Sequence, residues 1–283
     1  MLPANQGDGY KEALNMKGKL IGEGNTAEVY SWGENEILKL FRQKFPYEGI
    51  DREYNVSKAV ESFSLPVPKV GQMIDLDGRR GIIYEKISGS SMLELIMKHP
   101  GSITGYSKQM ANLHYQVHQC KAYELPKYKE ALEWNIRHTD LLTDNQRFAV
   151  LDILEKLPEG RSLCHGDFHP GNIIETSEQS VILDWMTATS GEPAADVART
   201  MMLLKDGTLP DKMPAFIKLV ITLVRRRMAN TYLKQYLQLS GLSKEDILNW
   251  RVPIMAARLT EWVSDSEKNY LVNEINKVIN GKK

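Results

Sequence analysis

The chain changes its character once, at Ser88-Gly89-Ser90-Ser91. Before that point the pattern is one of strands and tight turns; after it, apolar residues recur at helical spacing. Small polar residues between two such regimes mark the passage from one packing unit to another. The order predicts an α+β, bilobal fold. A small N-terminal lobe built on an antiparallel sheet (1–87) leads through a linker (88–91) into a larger, mainly helical C-terminal lobe (92–283). At 283 residues the chain is long enough to give each lobe its own core.

Within the first lobe, residues 19–30 read as a strand, a glycine turn and a returning strand. A turn at Gly33-Glu34-Asn35 leads into the strand 37–41, and residues 47–63 have helical spacing that Pro66 and Pro68 stop. Residues 70–75 and 80–87 form a hairpin signal turning at Asp77-Gly78. In the second lobe, 92–99, 103–122, 127–137 and 144–156 read as helices, with short strands near 172–174 and 181–183. Ser243 with Asp246 has the spacing of a capping box, with Asp in place of the usual Glu or Gln.

One segment of the helical part carries chemistry. Cys164-His165-Gly166-Asp167-Phe168-His169-Pro170-Gly171-Asn172 sets an aspartate and an asparagine five positions apart, and Asp184 follows the apolar run Val181-Ile182-Leu183. A carboxylate can receive the proton of an alcohol and align it for attack. A neutral amide oxygen and a second carboxylate can hold Mg²⁺ against nucleotide phosphates. Asp167 is therefore the candidate catalytic base, and Asn172 and Asp184 are the candidate metal ligands. Pro170-Gly171 is also a turn signal, so an Asp–Asn pair alone suits an ordinary loop; the addition of Asp184 makes the set specific.

Upstream, Gly22 and Gly24 lie between two strands, a context that argues against a dinucleotide fingerprint, which needs a helix N-terminus. A glycine turn between strands can fold over a triphosphate, though the same spacing suits a plain hairpin. Thr26 offers a hydroxyl there, and Val29 an apolar surface for adenine. Lys39 interrupts the apolar strand Ile37-Leu38-Lys39-Leu40 and needs an anion, either a phosphate or the carboxylate of Glu53 on the next helix. A solvated edge-strand lysine is the other reading. Glu85 and Ile87, at the end of the first lobe, offer backbone groups to an adenine edge.

Other features have plainer readings. His114 and His118 are spaced i, i+4 with no third ligand nearby in sequence, which suits packed helix histidines better than a metal site. Cys120 and Cys164 sit in apolar surroundings as buried thiols. Arg225-Arg226-Arg227 reads as a solvated helix end and Met201-Met202 as core. Lys plus Arg and Asp plus Glu each total 36, so no global field draws in nucleic acid or an anionic membrane. No basic segment leads into an apolar core at the N-terminus, and the longest apolar run, 216–224, is too short to cross a bilayer. The expectation is a cytoplasmic protein that binds neither nucleic acid nor membrane; its oligomeric state stays open.

Taken in order, Gly22 and Gly24, Lys39, Glu53, Glu85 to Ile87, His165-Gly166-Asp167, Asn172 and Asp184 resemble the aminoglycoside phosphotransferase and choline kinase family, over roughly residues 15–275. The resemblance implies a protein-kinase-like fold and transfer of the γ-phosphate of ATP, with GTP not excluded, to a hydroxyl of a small molecule. It implies Asp167 as base, Mg²⁺ on Asn172 and Asp184, and Lys39 with Glu53 positioning the nucleotide. Asp196 matches an acidic residue that braces the catalytic loop. Ala27 stands for a third glycine, Trp185-Met186 follows the metal aspartate, and Gly166 replaces the arginine of phosphorylation-gated protein kinases. The interval from 184 to 196 is also too short for their activation loop.

Family resemblance places the acceptor against Glu192 and residues 251–267. Glu261, Asp265 and Glu267 make that stretch anionic and suit a cationic acceptor such as an aminoglycoside or an amino alcohol; ordinary helix surface is the competing reading. Trp250 and Trp262 are candidates for an aromatic wall or for core. The alternative function is a catalytically silent nucleotide-binding module with a regulatory role.

Overall fold

Short strands joined by tight turns build the first unit. In the computed structural model, which describes residues 16–206 and 213–281, strands β1 (Lys17–Glu23), β2 (Ala27–Trp32), β3 (Glu36–Phe41), β4 (Val70–Leu76) and β5 (Arg79–Glu85) form an antiparallel sheet ordered β1-β2-β3-β5-β4. The β4–β5 turn has Asp77 at φ 53° and Gly78 at φ 69°, the mirror-image turn that matches strand twist. Side chains alternate faces along a strand. Leu38 and Leu40 thus join Trp32, Leu76 and Ile83 on one side, while Phe41 joins Ala27, Val70 and Ile82 on the other. Leu38 and Leu40 are fully buried, each contributing roughly 2 kcal/mol. The second side is covered by helix α1 (Tyr47–Glu61) through Ile50. Lys39, between the two leucines, is forced onto the helix-covered side.

The chain falls into two compact units, Met1–Ser91 with Ile173–Met186, and Met92–Asn172 with Thr187–Lys283. The sequence reading runs the helical lobe from 92 to 283, and in the structure Ile173–Met186 groups with the first unit. The reason is strand pairing. β6 (Ser90–Ser91) pairs with β8 (Ile173–Glu175), which pairs with β9 (Ser180–Ile182). Ile182 N–H also donates to the Pro66 carbonyl at 2.8 Å.

The second unit is helical: α2 (Met92–Lys98), α3 (Ile103–Gln119), α4 (Tyr128–His138), α5 (Asp144–Glu155), α6 (Pro193–Asp206), α7 (Ala215–Ser240), α8 (Lys244–Leu248), α9 (Arg251–Arg258) and α10 (Asp265–Ile279). Capping boxes start α5, through Thr143 and Gln146, and α8, through Ser243 and Asp246. A buried antiparallel pair, β7 (Ser162–Cys164) and β10 (Thr189–Gly191), sets Cys164 against Thr189 just before the segment 165–172. Cys164 is buried as expected, whereas Cys120, at the end of α3, is only half-buried. No described helix is long and apolar enough to cross a membrane.

Candidate active site

In the first unit, the face assignment of Lys39 brings it to Glu53, three residues beyond Ile50 on the buried side of α1. Lys39 Nζ donates to Glu53 Oε1 at 2.7 Å and to Asp184 Oδ1 at 3.1 Å. Burial works against the ammonium, but the charges of Asp184 and Glu53 outweigh it and raise the lysine above its ordinary value. Burial pushes the Glu53 carboxyl up, against the Lys39 charge. Tyr84 also donates to Glu53 Oε1, at 3.1 Å, while Glu53 Oε2 is buried without a partner. Asp184 has φ 60°, a left-handed conformation that Asp tolerates better than most residues and that gathers at functional sites. Its side chain is 44% exposed. One cation against two carboxylates leaves surplus negative charge.

Val29 faces Lys39 across the β2–β3 ladder. The glycine turn is tied back by Arg42, whose guanidinium donates to the Gly24 carbonyl at 3.1 Å and to Glu23 at 2.6 Å; its N–H donates to the Thr26 carbonyl at 2.9 Å. A Cβ at Gly22 or Gly24 would meet only ordinary contacts, at 3.6 Å or beyond. The fold itself does not call for glycine there. Glu85 ends β5 and its carboxylate accepts from Lys69 N–H at 3.1 Å; Ile87 lies two residues further on.

In the second unit, the backbone of the loop is held almost entirely by side chains. His165 N–H and Gly166 N–H donate to Asp196, at 2.5 and 2.9 Å. Thr187 Oγ1 donates to the His165 carbonyl at 2.8 Å, and Arg199 Nε to the Gly166 carbonyl at 3.1 Å. Asp167 N–H donates to His165 Nδ1 at 3.2 Å. Asn172 Nδ2 donates to the Asp167 carbonyl at 3.0 Å and to Asp167 Oδ2 at 3.2 Å. Gly166 sits at φ 79°, and a Cβ there would approach the Thr187 carbonyl to 2.8 Å, so glycine is obligatory.

The Asp167 carboxylate itself remains partly exposed. Gly171 N–H donates to His169 Nδ1 at 3.1 Å, which puts the ring proton on Nε2, 3.6 Å from Asp167 Oδ2. Burial pushes the Asp167 carboxyl up, but His169, with Arg199 and His165 behind it, outweighs burial and holds it at about 2. The group is ionised at neutral pH and too weakly basic to strip a free alcohol of its proton. It suits orienting a hydroxyl and receiving its proton late in the transfer.

Asp196 is a buried node. Besides the two loop amides it receives His114 Nε2 at 3.0 Å and His118 Nε2 at 3.3 Å. Each imidazole contacts a tyrosine of α7 through Nδ1 at 2.6 Å, His114 with Tyr232 and His118 with Tyr236. The third partner that the sequence lacks nearby is thus supplied from 78 residues away. With each tyrosine hydroxyl donating to Nδ1 and each Nε2–H donating to Asp196, the polar groups satisfy one another without a metal. Burial, and then the neighbouring His118, lower His114 to about 3. Burial alone would raise Asp196, but His114 and His118 hold it well below the usual carboxylate range.

The acidic stretch proposed for the acceptor is largely self-paired. Glu261 Oε2 accepts from Arg199 and Arg258, both at 2.8 Å, and the buried Glu267 accepts from Arg258 at 2.5 Å. Asp265 alone of the three is exposed. Trp250 is core, whereas Trp262 is 76% exposed; Glu192 is half-buried. Asn172 and Asp184, expected on one cation, belong to different units.

A family model described as the phosphotransferase enzyme family matches residues 17–227. The chain belongs to that family. Acyl-CoA dehydrogenase family member 11 of Homo sapiens is 24% identical, over 66% of this chain and 28% of its own length. The chain thus spans under a third of that curated relative. Among solved structures, the streptomycin–ATP ternary complex of APH(2")-IIa aligns with 98% of this chain and 97% of its own, with a TM-score of 0.60 at 15% identity. Aminoglycoside phosphotransferase APH(4)-Ia aligns over 94% and 93%, with a TM-score of 0.65 at 13% identity. At these identities the phosphotransferases share the fold.

Proposed function

We propose that this phosphotransferase moves the γ-phosphate of a nucleotide, ATP in the first instance and GTP in the second, to a hydroxyl of a small molecule in the cytoplasm. The observation that carries the reading is Asp167: an ionised carboxylate with an accessible edge, on a loop whose backbone is locked by surrounding side chains. Lys39, fixed by Glu53, pairs with the nucleotide phosphates. Gly22, Gly24 and Thr26 line the phosphate side of the nucleotide, Val29 the adenine, and Glu85 and Ile87 its edge.

By donor chemistry Asp184 and Asn172 each suit magnesium. Asp184 is a hard carboxylate in a charge-surplus setting. Asn172 commits its amide nitrogen to Asp167, so its oxygen is the atom left for a cation. Magnesium, when bound, neutralises charge on the phosphates. Asn172 also fixes one oxygen of Asp167, leaving the other to orient the acceptor hydroxyl. As the hydroxyl oxygen bonds to the γ-phosphorus, the bond from that phosphorus to the β-phosphate oxygen breaks, the nucleoside diphosphate leaves with that bond's electron pair, and the hydroxyl proton passes to Asp167. The acceptor class is a small alcohol. An aminoglycoside-like or other cationic acceptor has lost the support of Glu261 and Glu267, which arginines already neutralise.

Nucleotide consumption over a panel of alcohols, amino alcohols and aminoglycosides tests the reading. Asp167→Asn is expected to lower kcat by about 10²–10⁴-fold with nucleotide affinity retained. Equal turnover in the variant overturns the assignment, and nucleotide binding without transfer to any acceptor favours the silent module.

A further inference from the structure

We propose that Glu261 is a positioning residue for the catalytic loop, acting on the Gly166 peptide through Arg199. The proposal rests on the reading of Asp167 as the group that orients the acceptor.

The Gly166 peptide is gripped on both sides by one helix. Asp196 accepts its N–H and Arg199 donates to its carbonyl, from positions one turn apart on α6. Both side chains are buried. Gly166 immediately precedes Asp167, so a shift of its peptide plane swings the catalytic carboxylate. Asp196 is fixed by four donors, two of them the histidines. Arg199 has a different kind of anchor: a buried guanidinium needs a carboxylate, and the one it pairs with is Glu261.

Glu261 is placed for this by its own surroundings. It lies in the short connection between α9 and α10, where its N–H donates to the Arg258 carbonyl at 3.0 Å. The same Oε2 that receives Arg199 receives Arg258, and Arg258 is pinned by Glu267 at the start of α10. The path therefore runs from α10 through alternating charges to the carbonyl before Asp167. Asp167 is another carboxylate whose charge acts on Arg199. With Glu261 neutralised, the guanidinium loses the carboxylate that holds it against the Gly166 carbonyl. Arg258, Glu261 and Glu267 all lie beyond residue 227, where the family match ends, so membership of the family does not assign them this part.

A salt-bridge network that merely stabilises the fold would lower the melting temperature and leave the loop and its turnover alone. Positioning makes a different prediction, read by hydrogen exchange and by kinetics on the full chain. In Glu261→Ala, and in Glu261→Gln should the alanine variant fold poorly, the Gly166 and Asp167 amides are expected to exchange at least about tenfold faster. Amides of the β7–β10 pair should be unchanged. The kcat should fall by about 10-fold to 10²-fold with the nucleotide KM steady. Arg199→Ala combined with Glu261→Ala should be no worse than Arg199→Ala alone. Unchanged exchange at Gly166 and Asp167, or additive losses in the double variant, overturns the proposal. Exchange reads the loop without turnover, so it decides the role of Glu261 even if no acceptor is ever phosphorylated and the proposed function falls.

Discussion

The Lys39 set and the loop around Asp167 solve opposite problems. In the first unit a lysine stands between two carboxylates, one of them carrying a buried oxygen without a partner and the other left-handed and open to solvent. In the second unit the backbone from His165 to Asp167 has its donors and acceptors taken by side chains, and the Asp167 carboxylate keeps an open edge. The contrast teaches a division of labour. Incomplete satisfaction leaves electrostatic capacity for a charged ligand, while complete satisfaction removes freedom from a group that must hold one orientation.

The largest effect that can break this comparison is at Asp196. Asp196→Asn turns amide hydrogens toward the loop N–H groups and leaves buried donors unpaired, which should cost about 3–5 kcal/mol in urea unfolding. A loss under about 1 kcal/mol would mean the loop is not held from this node. Next comes Lys39→Met. Nucleotide affinity should drop about tenfold or more, yet the unfolding midpoint should move less than in the Asp196 variant, because losing the ammonium also removes the burial cost it carries. A large loss of stability would show the first set to be structural after all.

A pH series gives a smaller and graded effect. His114 ordinarily titrates near 6.5 and is lowered to about 3 in the fold. As pH falls below about 6.5 the unfolded chain takes up a proton that the folded chain refuses. Stability present above that pH should decline steadily toward pH 3, and Asp196, held below its ordinary value, adds its own loss only in the acid part of the range. Melting temperatures from pH 7.5 to 4.5 read the histidine contribution, and His114→Gln should flatten the slope. Smallest of all is Gly24→Ala, which should change stability by less than about 0.5 kcal/mol, since a Cβ there has room. A several-fold loss of nucleotide affinity in that variant would assign the glycine to ligand approach; unchanged affinity would leave it a hairpin residue.

Much of this was legible in the chain. The strand-to-helix change at Ser88–Ser91, the Asp77-Gly78 turn and the Ser243–Asp246 cap rest on rules that act within a few residues, and the structure shows all three. The Lys39–Glu53 pair followed from a lysine in an apolar strand that needed an anion. The Asp196 node was harder. His114 and His118, spaced four apart, meet Tyr232 and Tyr236, also spaced four apart, 118 residues later. The matching intervals were a visible signal, but nothing local says that α3 and α7 lie side by side. Glu261 and Glu267 misled for the same reason: a run of acids reads as an anionic surface until the arginines that neutralise it are found.

The sequence by itself determined the two kinds of secondary structure, the choice of Asp167, Asn172 and Asp184 as candidates, and the need for a partner to Lys39. Each depends on side-chain type and short spacing, which the chain states directly. Tertiary structure alone decided that Ile173–Met186 returns to the first unit, that Asp196 gathers two histidines and two loop amides, and that Arg199 spans from Gly166 to Glu261. These contacts join residues far apart along the chain, and buried charges choose their partners only once packing has excluded water and left them few.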